Sequence, residues 1–239
     1  MTVTENAAPR FLLISHEPEA APAMIGEMLR DRGYRVDSHV VLGDPEDPDV
    51  AFPDPSDYDA VVAFGSFSNV YDPKARSWIE SELGLIRTMV HHDIPYLGVC
   101  FGGQLLAESL GGHVERAPDS EQEIGIVTFD DDPALPVPPG PWFTWHEDRV
   151  VVPDDVEVLA HNGKAVQVFR RGRAVGIQFH PEANIGVVGD WVRIGPDHIP
   201  QSTSAGQLLS DLEVHEATLR RNCEALVDWF VHEVAGLES

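Results

Sequence analysis

Short apolar runs alternate with longer segments of helical apolar spacing along the first half of the chain. One helical segment is predicted over residues 75–91, and another is predicted to end near Arg32, before a turn at Gly33. The short apolar runs around them have the composition of buried strands. These predicted strands are residues 11–14, 35–41, 59–64 and 94–99. Alternation of this kind predicts a parallel sheet with helices on both of its faces.

The second half of the chain has a different pattern, because closely spaced strands follow a predicted helix that begins at Phe101 and ends at Gly111 and Gly112. The predicted strands are residues 124–129, 156–160, 165–170 and 174–179. The remainder is mostly helical and includes an amphipathic helix over residues 211–234. We therefore predict an α/β fold with a mostly parallel central sheet flanked by helices and a mixed or antiparallel extension.

The organisation of the chain is that of one unit, since it shows no internal repeat and no long linker. We expect a single domain over residues 10–236 after a disordered tail of residues 1–9. The first residues contain neither an apolar signal core nor a basic leader, and no stretch is long enough to span a bilayer. These features predict a cytoplasmic protein without a membrane partner.

The charge is strongly negative, with 40 acidic residues against 16 basic ones and a formal net charge of −24. This balance argues against nucleic acid as a partner, because binding it requires Lys and Arg to neutralise phosphates. A broad acidic surface is better explained as an aid to solubility. The two cysteines, Cys100 and Cys223, lie far apart and provide no disulfide framework.

Cys100 lies between a predicted strand and a predicted helix, in the sequence Gly-Val-Cys-Phe-Gly. Gly98 and Gly102 would relieve crowding in a sharp strand-to-helix turn, so that the sulfur projects above the sheet edge. At a helix N-terminus the unpaired N–H groups favour the reactive thiolate. By itself this pattern also fits a small thiol packed in the core.

A second motif favours the reactive interpretation. The predicted strand over residues 174–179 is followed by His180-Pro181-Glu182, which places a histidine and a carboxylate at the end of a buried strand. A cysteine, a histidine and an acid at successive strand ends is the arrangement of an activated nucleophile. Cys100, His180 and Glu182 are therefore the candidate catalytic residues.

These motifs resemble those of the class I glutamine amidotransferase family. The two main matches are Gly-Val-Cys-Phe-Gly-Gly-Gln around Cys100 and Gly-Ile-Gln-Phe-His-Pro-Glu ending at Glu182. Three weaker matches are the oxyanion-loop motif at residues 64–72, the Glu-x-Gly motif at 123–125 and the substrate-loop motif at 145–148. The resemblance spans residues 10–182 and implies a flavodoxin-like fold.

The resemblance also implies the chemistry. Cys100 would attack the γ-carbonyl of a γ-glutamyl amide and form a thioester, and water would then release glutamate. His180 would help to form the thiolate, protonate the leaving ammonia or amine and activate the water. Glu182 would orient the imidazole and stabilise its charged form. No cofactor and no metal are implied.

The remaining site residues come from the same resemblance. The oxyanion would be bound by the backbone N–H of Phe101 and by one N–H from Gly65 or Ser66. Gln104 matches the glutamine-binding residue of the family, and a loop would hold the amino-acid end of the substrate. The residues of this loop are Trp145, His146, Glu147 and Asp148.

Three departures from the family pattern bear on the substrate. Ser66 and Phe67 stand where Gly and Pro are usual, Glu147 stands where Gly is usual, and Gly103 replaces a bulkier residue. Glu147 could bring a negative charge near the groups that recognise the substrate. We hypothesise that these changes admit something other than plain glutamine, such as a γ-glutamyl conjugate or peptide.

A protease or another cysteine hydrolase of related sheet topology stays open at this point, but the Gln-Phe-His-Pro-Glu match favours the γ-glutamyl family, for which three functions stay open. The first is a stand-alone hydrolase of γ-glutamyl amides, and the second is a glutaminase subunit that delivers ammonia to a separate synthase. The third is a non-catalytic regulatory or binding module on the same fold. No nucleotide-binding Gly-rich loop occurs in the chain, so amination driven by ATP within it is not expected.

His16 and Glu17 follow the first predicted strand, on the edge where ligands bind to such sheets. A structural role is favoured for them over a role in lining the site. Most other histidines are scattered without the spacing of metal ligands, so no metal is implied.

Overall fold

A computed structural model describes residues 8–130, 135–200 and 203–238 of the chain. Its centre is a seven-stranded sheet formed by β1 (Arg10–Ser15), β2 (Arg35–Val40), β3 (Ala60–Ala63), β4 (Tyr96–Val99), β9 (Glu157–His161), β10 (Val166–Arg171) and β11 (Ala174–Ile177). The strand order across the sheet is β2-β1-β3-β4-β11-β10-β9. The first five strands in this order pair in parallel, which confirms the predicted mostly parallel sheet.

The parallel part of the sheet has the strand order of flavodoxin-like folds, in which ligands bind outside the carboxyl ends of the strands. β4 lies between β3 and β11, with Gly98 opposite Ala63 and Val99 opposite Ile177. This register aligns the carboxyl ends of three strands at one edge. The chain segments that follow them, and the segment after β1, therefore meet above that edge.

The predicted mixed extension is confirmed in the second half of the chain. β9 and β10 continue the main sheet with antiparallel pairing. Two separate antiparallel pairs are β5 (His113–Arg116) with β8 (Asp148–Val151), and β6 (Glu123–Val127) with β7 (Trp142–His146). The pattern did not predict β5, β7 or β8.

Helices cover both faces of the sheet, as predicted. α2 (Arg76–His91) and α3 (Phe101–Ser109) pack on one face. α1 (Ala23–Asp31), α4 (Ile185–Ile194) and α5 (Ala205–Trp229) pack on the other. Successive residues of β1 alternate between the two cores, because Leu13 packs with α1 and α5 while Leu12 packs with α2.

The C-terminal helix begins six residues before its predicted start at residue 211, because Ser204 caps it through a hydrogen bond from the Gln207 N–H. Its last turn, Phe230–Val234, is π-helical. Residues 1–7 of the expected N-terminal tail lie outside the described residues, and the domain bounds of 10–236 stay a prediction. Within the described residues no helix is both long and apolar enough to cross a membrane.

Candidate active site

Cys100 occupies a sharp turn between β4 and α3. Its backbone lies at φ 50° and ψ −103°, outside the regions that residues with a side chain ordinarily adopt. The turn depends on the absence of neighbouring side chains. A Cβ on Gly98 would lie 2.4 Å from the carbonyl of Gly102, and a Cβ on Gly102 would lie 2.4 Å from Ala63 O. Both glycines therefore relieve crowding in the turn.

Gly103 has a different role from the one hypothesised for it. A Cβ at this position would lie 2.8 Å from Ile177 O and 3.0 Å from Gly98 O, so the residue faces the backbone of the sheet. Gly103 lets α3 approach β11 and does not line the cleft in front of Cys100. Gly103 therefore does not by itself support the hypothesis that the departures from the family pattern admit something other than plain glutamine.

His180 and Glu182 follow β11 and are both buried. His180 Nδ1 lies 2.8 Å from Glu182 Oε1, which orients the imidazole. The ring packs edge-on against Trp191 with centroids 4.8 Å apart. On another side a Cβ at Gly65 would lie only 3.1 Å from His180 Cε1, so a glycine there lets the oxyanion-loop region approach the ring.

The protonation of His180 depends on its two charged neighbours. Burial by itself lowers the pKa of His180, but the charges of Glu182 and Cys100, with hydrogen bonds to both, raise it to about 10. The imidazolium is therefore favoured, and it faces a sulfur on a residue that is only 7% exposed. A histidine that is paired with a carboxylate and lies beside a cysteine is the arrangement that activates a cysteine nucleophile.

Cys100 Sγ also has a neighbour that the sequence analysis did not assign. Gln178 Nε2 lies 3.7 Å from Sγ, within the range of a hydrogen bond to sulfur. Gln178 precedes His180 by two residues, and alternate residues of an extended segment share one side. That spacing was a usable signal for Gln178. Trp191, by contrast, reaches His180 only through the packing of α4, which no local pattern indicates.

The segment after β3 forms one wall of the cleft and includes Gly65, Ser66 and Phe67. Glu17 holds this segment, because its Oε1 accepts hydrogen bonds from Ser66 Oγ at 2.8 Å and from the Phe67 N–H at 3.2 Å. Ser66, which stands where Gly is usual in the family pattern, therefore adds a hydroxyl group that attaches this segment to Glu17. Phe101 begins α3 directly after Cys100, and the first N–H groups of a helix have no partner within it.

Gln104 lies one turn into α3, is almost completely buried and lines the cleft. Another wall of the cleft was expected to be a loop over residues 145–148, and this expectation is wrong in part. Trp145 and His146 end β7, Asp148 begins β8, and only Glu147 lies between the strands. Pairing of β7 with β6 and of β8 with β5 makes this wall a rigid corner.

Hydrogen bonds hold the side chains of Asp148 and His146 in this wall. Asp148 is buried, and its two carboxylate oxygens accept hydrogen bonds from Tyr71 Oη at 2.8 Å and from Asn69 Nδ2 at 2.7 Å. His146 Nδ1 donates to Asp148 O at 2.8 Å, and its Nε2 lies 3.3 Å from Glu123 Oε2. Asp148 therefore links the corner to the segment after β3.

Glu147 lines the cleft but does not present an unpaired charge to it. Arg116 Nη1 donates to Glu147 Oε2 at 2.6 Å, and His198 Nδ1 lies 3.2 Å from Oε1. Partial burial by itself raises the pKa of Glu147, but hydrogen bonds from Arg116 and His198 lower it overall. The contact with His198 draws the segment after α4 to the mouth of the cleft.

Cys223, the other cysteine of the chain, is fully buried on α5. Burial raises the pKa of its thiol, as is typical of a cysteine packed in the core. Across residues 8–130, 135–200 and 203–238, no group of three or more His, Cys, Asp or Glu side chains is placed to hold a metal ion.

A sequence model described as "Glutamine amidotransferase class-I" matches residues 23–191, which is most of the chain. The chain belongs to this family. The match includes the three residues Cys100, His180 and Glu182, which meet at the carboxyl edge of the sheet. It also includes the segment after β3 and the corner between β7 and β8.

Curated relatives extend the comparison. The GMP synthase [glutamine-hydrolyzing] of Thermomicrobium roseum is 33% identical over 132 residues, which are 51% of this chain and 23% of that protein. The enzyme of the same name from Thermus thermophilus is 39% identical over 95 residues, covering 37% of this chain and 19% of its own. The matching region thus spans about a fifth of the length of these relatives.

Solved structures match over almost the whole chain. A glutamine amidotransferase from Thermotoga maritima superposes with a TM-score of 0.79 at 26% identity, covering 94% of this chain and 99% of its own. A glutamine amidotransferase from Methylobacillus flagellatus gives a TM-score of 0.81 at 25% identity, covering 95% of this chain and 96% of its own. These likenesses confirm the predicted fold class.

Proposed function

We propose that this chain hydrolyses a γ-glutamyl amide bond through a thioester on Cys100, releasing glutamate and ammonia or an amine. The observation that carries the proposal is the buried set of Cys100, His180 and Glu182, with 2.8 Å between His180 Nδ1 and Glu182 Oε1. The strained backbone of Cys100 supports the same conclusion, because strain of this kind is concentrated at functional sites.

The thiolate of Cys100 attacks the γ-carbonyl carbon, and the carbonyl oxygen becomes an oxyanion. When the C–N bond breaks, His180 donates its proton to the departing nitrogen, leaving a thioester and a neutral imidazole. His180 then takes a proton from water, which attacks the thioester carbonyl. Glutamate leaves, and the proton on His180 restores the original ion pair. Glu182 keeps the imidazole oriented and balances its charge throughout.

The oxyanion requires donors that are already in place. In this proposal they are the N–H of Phe101, at the start of α3, and the N–H of Ser66 or Gly65. Each such donor contributes about 3–4 kcal/mol to the transition state in comparable hydrolases. The hydrogen bonds from Ser66 and Phe67 to Glu17 support this assignment, because they hold the segment against the end of β1.

The rest of the cleft would bind the amino-acid end of the substrate. Gln104, Trp145, His146, Glu147 and Asp148 all line it. The pairing of Asp148 with Tyr71 and Asn69 assigns its carboxylate to shaping the wall. Glu147 acts at the mouth, where Arg116 and His198 balance its charge.

The leaving group is the least specified part of the substrate. Phe67, on the segment with the unusual sequence, is 46% exposed and lines the cleft, so an apolar side chain stands at its mouth. This feature favours an amide that carries a substituent on nitrogen over plain glutamine, since glutamine itself has only hydrogens there. A γ-glutamyl conjugate or peptide is the proposed substrate class.

A second candidate is a glutaminase that delivers ammonia to a separate synthase. It is favoured by the curated relatives, which are described as glutamine-hydrolyzing GMP synthases and are about five times longer than the matching region. The third candidate, a non-catalytic binding module, is opposed by the complete Cys100, His180 and Glu182 set. A module without catalysis has no need for a strained cysteine beside an ion-paired histidine.

The test is glutamate release by the purified chain, with glutamine beside a panel of γ-glutamyl amides and dipeptides. The Cys100→Ala variant serves as the blank, and Cys223→Ala serves as the matched cysteine control. We expect faster release from substituted amides than from glutamine, lost in Cys100→Ala and kept in Cys223→Ala. Release from glutamine alone would contradict the proposed substrate class.

The same experiment separates the alternatives. If nothing is hydrolysed although an electrophilic glutamine analogue labels Cys100, the glutaminase subunit is favoured, because such a site would await its synthase. If Cys100 is neither labelled nor active in a protein whose circular dichroism shows a folded state, the binding module is favoured and the proposal fails.

A further inference from the structure

His16 lies behind the oxyanion segment, and the mechanism above does not use it. It follows β1 directly, is completely buried and has hydrogen-bond partners at both ring nitrogens. Nδ1 donates to Gly65 O at 2.9 Å, and Nε2 lies 3.0 Å from Glu82 Oε2 on α2. A fully buried histidine bridged to a fully buried carboxylate is costly to desolvate, so the arrangement needs a reason.

The position of the hydrogen bond from His16 Nδ1 to Gly65 O provides a reason for this arrangement. Gly65 O and the N–H of Ser66 belong to the same peptide unit, and in a trans peptide the C=O and the N–H point in opposite directions. His16 holds the oxygen on the buried side of this unit. The N–H of Ser66 must therefore point the other way, toward the cleft that Ser66 lines with Cys100. A hydrogen bond to the carbonyl also polarises the peptide and strengthens its N–H as a donor.

His16 touches the second oxyanion donor residue as well. Its ring packs edge-on against Phe101 with centroids 4.7 Å apart, and Trp78 packs on it at 5.7 Å. Phe101 contributes the other proposed N–H through its backbone. One imidazole therefore contacts the carbonyl of the peptide unit that carries the Ser66 N–H and the side chain of Phe101, and Glu82 holds that imidazole in place.

We propose that His16 is a positioning residue that keeps the peptide between Gly65 and Ser66 turned with its N–H toward the oxyanion, and that Glu82 fixes His16 for this task. The inference rests on the proposed function, because it assigns a role within the same site. Without His16, the peptide can turn so that Gly65 O faces the cleft, where it would repel the oxyanion.

The electrostatic surroundings of His16 agree with this role. Burial by itself lowers the pKa of His16. The charge of Glu82 and the hydrogen bond between Glu82 and His16 raise this pKa, and the charge of Glu17 and the hydrogen bond to Gly65 O raise it further, so that the pKa is raised overall. A protonated ring donates from both nitrogens. Glu17 accepts hydrogen bonds from Ser66 Oγ and from the Phe67 N–H. His16 and Glu17, the two residues after β1, therefore both bind the segment that follows β3.

The chain offers a matched pair of variants at this position. An Asn side chain places its amide nitrogen close to the position of Nδ1, and a Gln side chain places it close to that of Nε2. His16→Asn therefore keeps a donor for Gly65 O and loses the contact with Glu82, whereas His16→Gln keeps the contact with Glu82 and loses the donor for Gly65 O. Each variant removes one buried hydrogen bond, but His16→Asn leaves the buried Glu82 carboxylate unpaired and should be the less stable of the two.

We expect His16→Gln to lower kcat for the best amide substrate by about 10²–10³-fold, the effect of losing one oxyanion donor, with KM little changed. His16→Asn should recover most of this loss. Alkylation of Cys100 by iodoacetamide, which forms no oxyanion, should proceed at the wild-type rate in both variants. Where His16→Asn folds poorly because Glu82 is left unpaired, His16→Asn/Glu82→Gln removes the buried charge and serves in its place.

Equal kcat values in the Asn and Gln variants would overturn the proposal, as would a loss confined to KM or a parallel loss of alkylation. Crystal structures of the wild type and of His16→Gln provide a test that does not require turnover. A turned peptide between Gly65 and Ser66 in the variant is expected, and an unchanged peptide would overturn the inference. If the wild type releases glutamate from no amide, the proposed function fails, while this structural comparison still decides the role of His16.

Discussion

At the scale of single residues, the turn at Cys100 depends on three glycines that have separate tasks. Gly98 and Gly102 face each other and Ala63, whereas Gly103 faces Ile177. All three keep backbone close to backbone, so that α3 can begin directly above β4. The sequence predicted the tasks of Gly98 and Gly102 but not the packing of Gly103 against Ile177, because a glycine in the first turn of a helix can face either the cleft or the sheet.

The packing of Gly103 predicts that Gly103→Ala destabilises the protein. The new Cβ would lie 2.8 Å from Ile177 O, which is backbone and cannot move aside. We expect a loss of about 1–3 kcal/mol in the free energy of unfolding, measured by urea denaturation. The control is Gly84→Ala on α2, where a Cβ has nothing within 4 Å, and it should gain about 0.5–1 kcal/mol. A neutral Gly103→Ala would contradict the packing argument.

The raised pKa of His180 predicts a pH dependence of stability. A group whose pKa is raised on folding stabilises fully below its unfolded value, about 6.5, and loses that contribution as pH rises through its folded value. For His180 the decline runs up to about pH 10. Removing the carboxylate in Glu182→Gln lowers the folded pKa, so the variant should be less stable than the wild type at about pH 6.

Urea denaturation across this range of pH provides the measurement. The difference in free energy of unfolding between wild type and Glu182→Gln should shrink from about pH 6.5 toward pH 10. Glu213→Gln, at an exposed position of α5, controls for general effects of charge and should leave the pH dependence of the wild type unchanged. A difference that stays constant or grows with pH would show that His180 is not stabilised as a cation.

At the scale of elements, the periodicity of α5 predicted its buried stripe correctly. Leu212, Leu219, Cys223 and Leu226 all lie in the core against α1 and the sheet. The pairs β5 with β8 and β6 with β7 were missed in part, because strands such as His113–Arg116 are short, polar and half-exposed. The partners of β5 lie more than thirty residues away in the chain, and local patterns do not show such pairing.

The stripe of α5 predicts unequal effects for two apolar truncations on one helix. Leu226 is fully buried, so Leu226→Ala should cost about 2–5 kcal/mol through lost burial and a cavity. Val214 is 76% exposed, so Val214→Ala should change the free energy of unfolding by less than about 0.5 kcal/mol. Urea denaturation of both variants tests the assignment of the faces, and equal losses would show that α5 packs differently.

At the scale of the whole molecule, the net charge of −24 is set by composition alone. Some carboxylates form local ion pairs. Glu121 and Glu115 pair with Arg149, and Asp228 pairs with Arg32. With 40 acidic residues against 16 basic ones, negative charge is in large excess, and the carboxylates repel one another in the compact state.

This excess of negative charge predicts that salt stabilises the fold. Raising NaCl from about 10 mM to about 150 mM shortens the screening length from about 30 Å to about 8 Å. Repulsion among carboxylates then weakens more than the fewer ion pairs do, so the free energy of unfolding at pH 7 should rise. KCl should act like NaCl, because screening depends on ionic strength. A fall in stability with salt would show that the ion pairs outweigh the repulsion.

The sequence by itself determined the parallel strands of the first half, the candidate nucleophile with its histidine and acid, and the family. These features are local in the sequence. Apolar periodicity defines the buried strands, and the candidate reactive groups lie within two short motifs, the Gly-x-Cys-x-Gly turn and the His-Pro-Glu segment at a strand end. Only the tertiary structure decided the pairing of Glu147 with Arg116 and His198, the contact of Trp191 with His180, and the bridge from Glu82 through His16 to Gly65. Each of these joins residues that are distant in the chain, and their distances and burial exist only once the sheet and its helices have packed together.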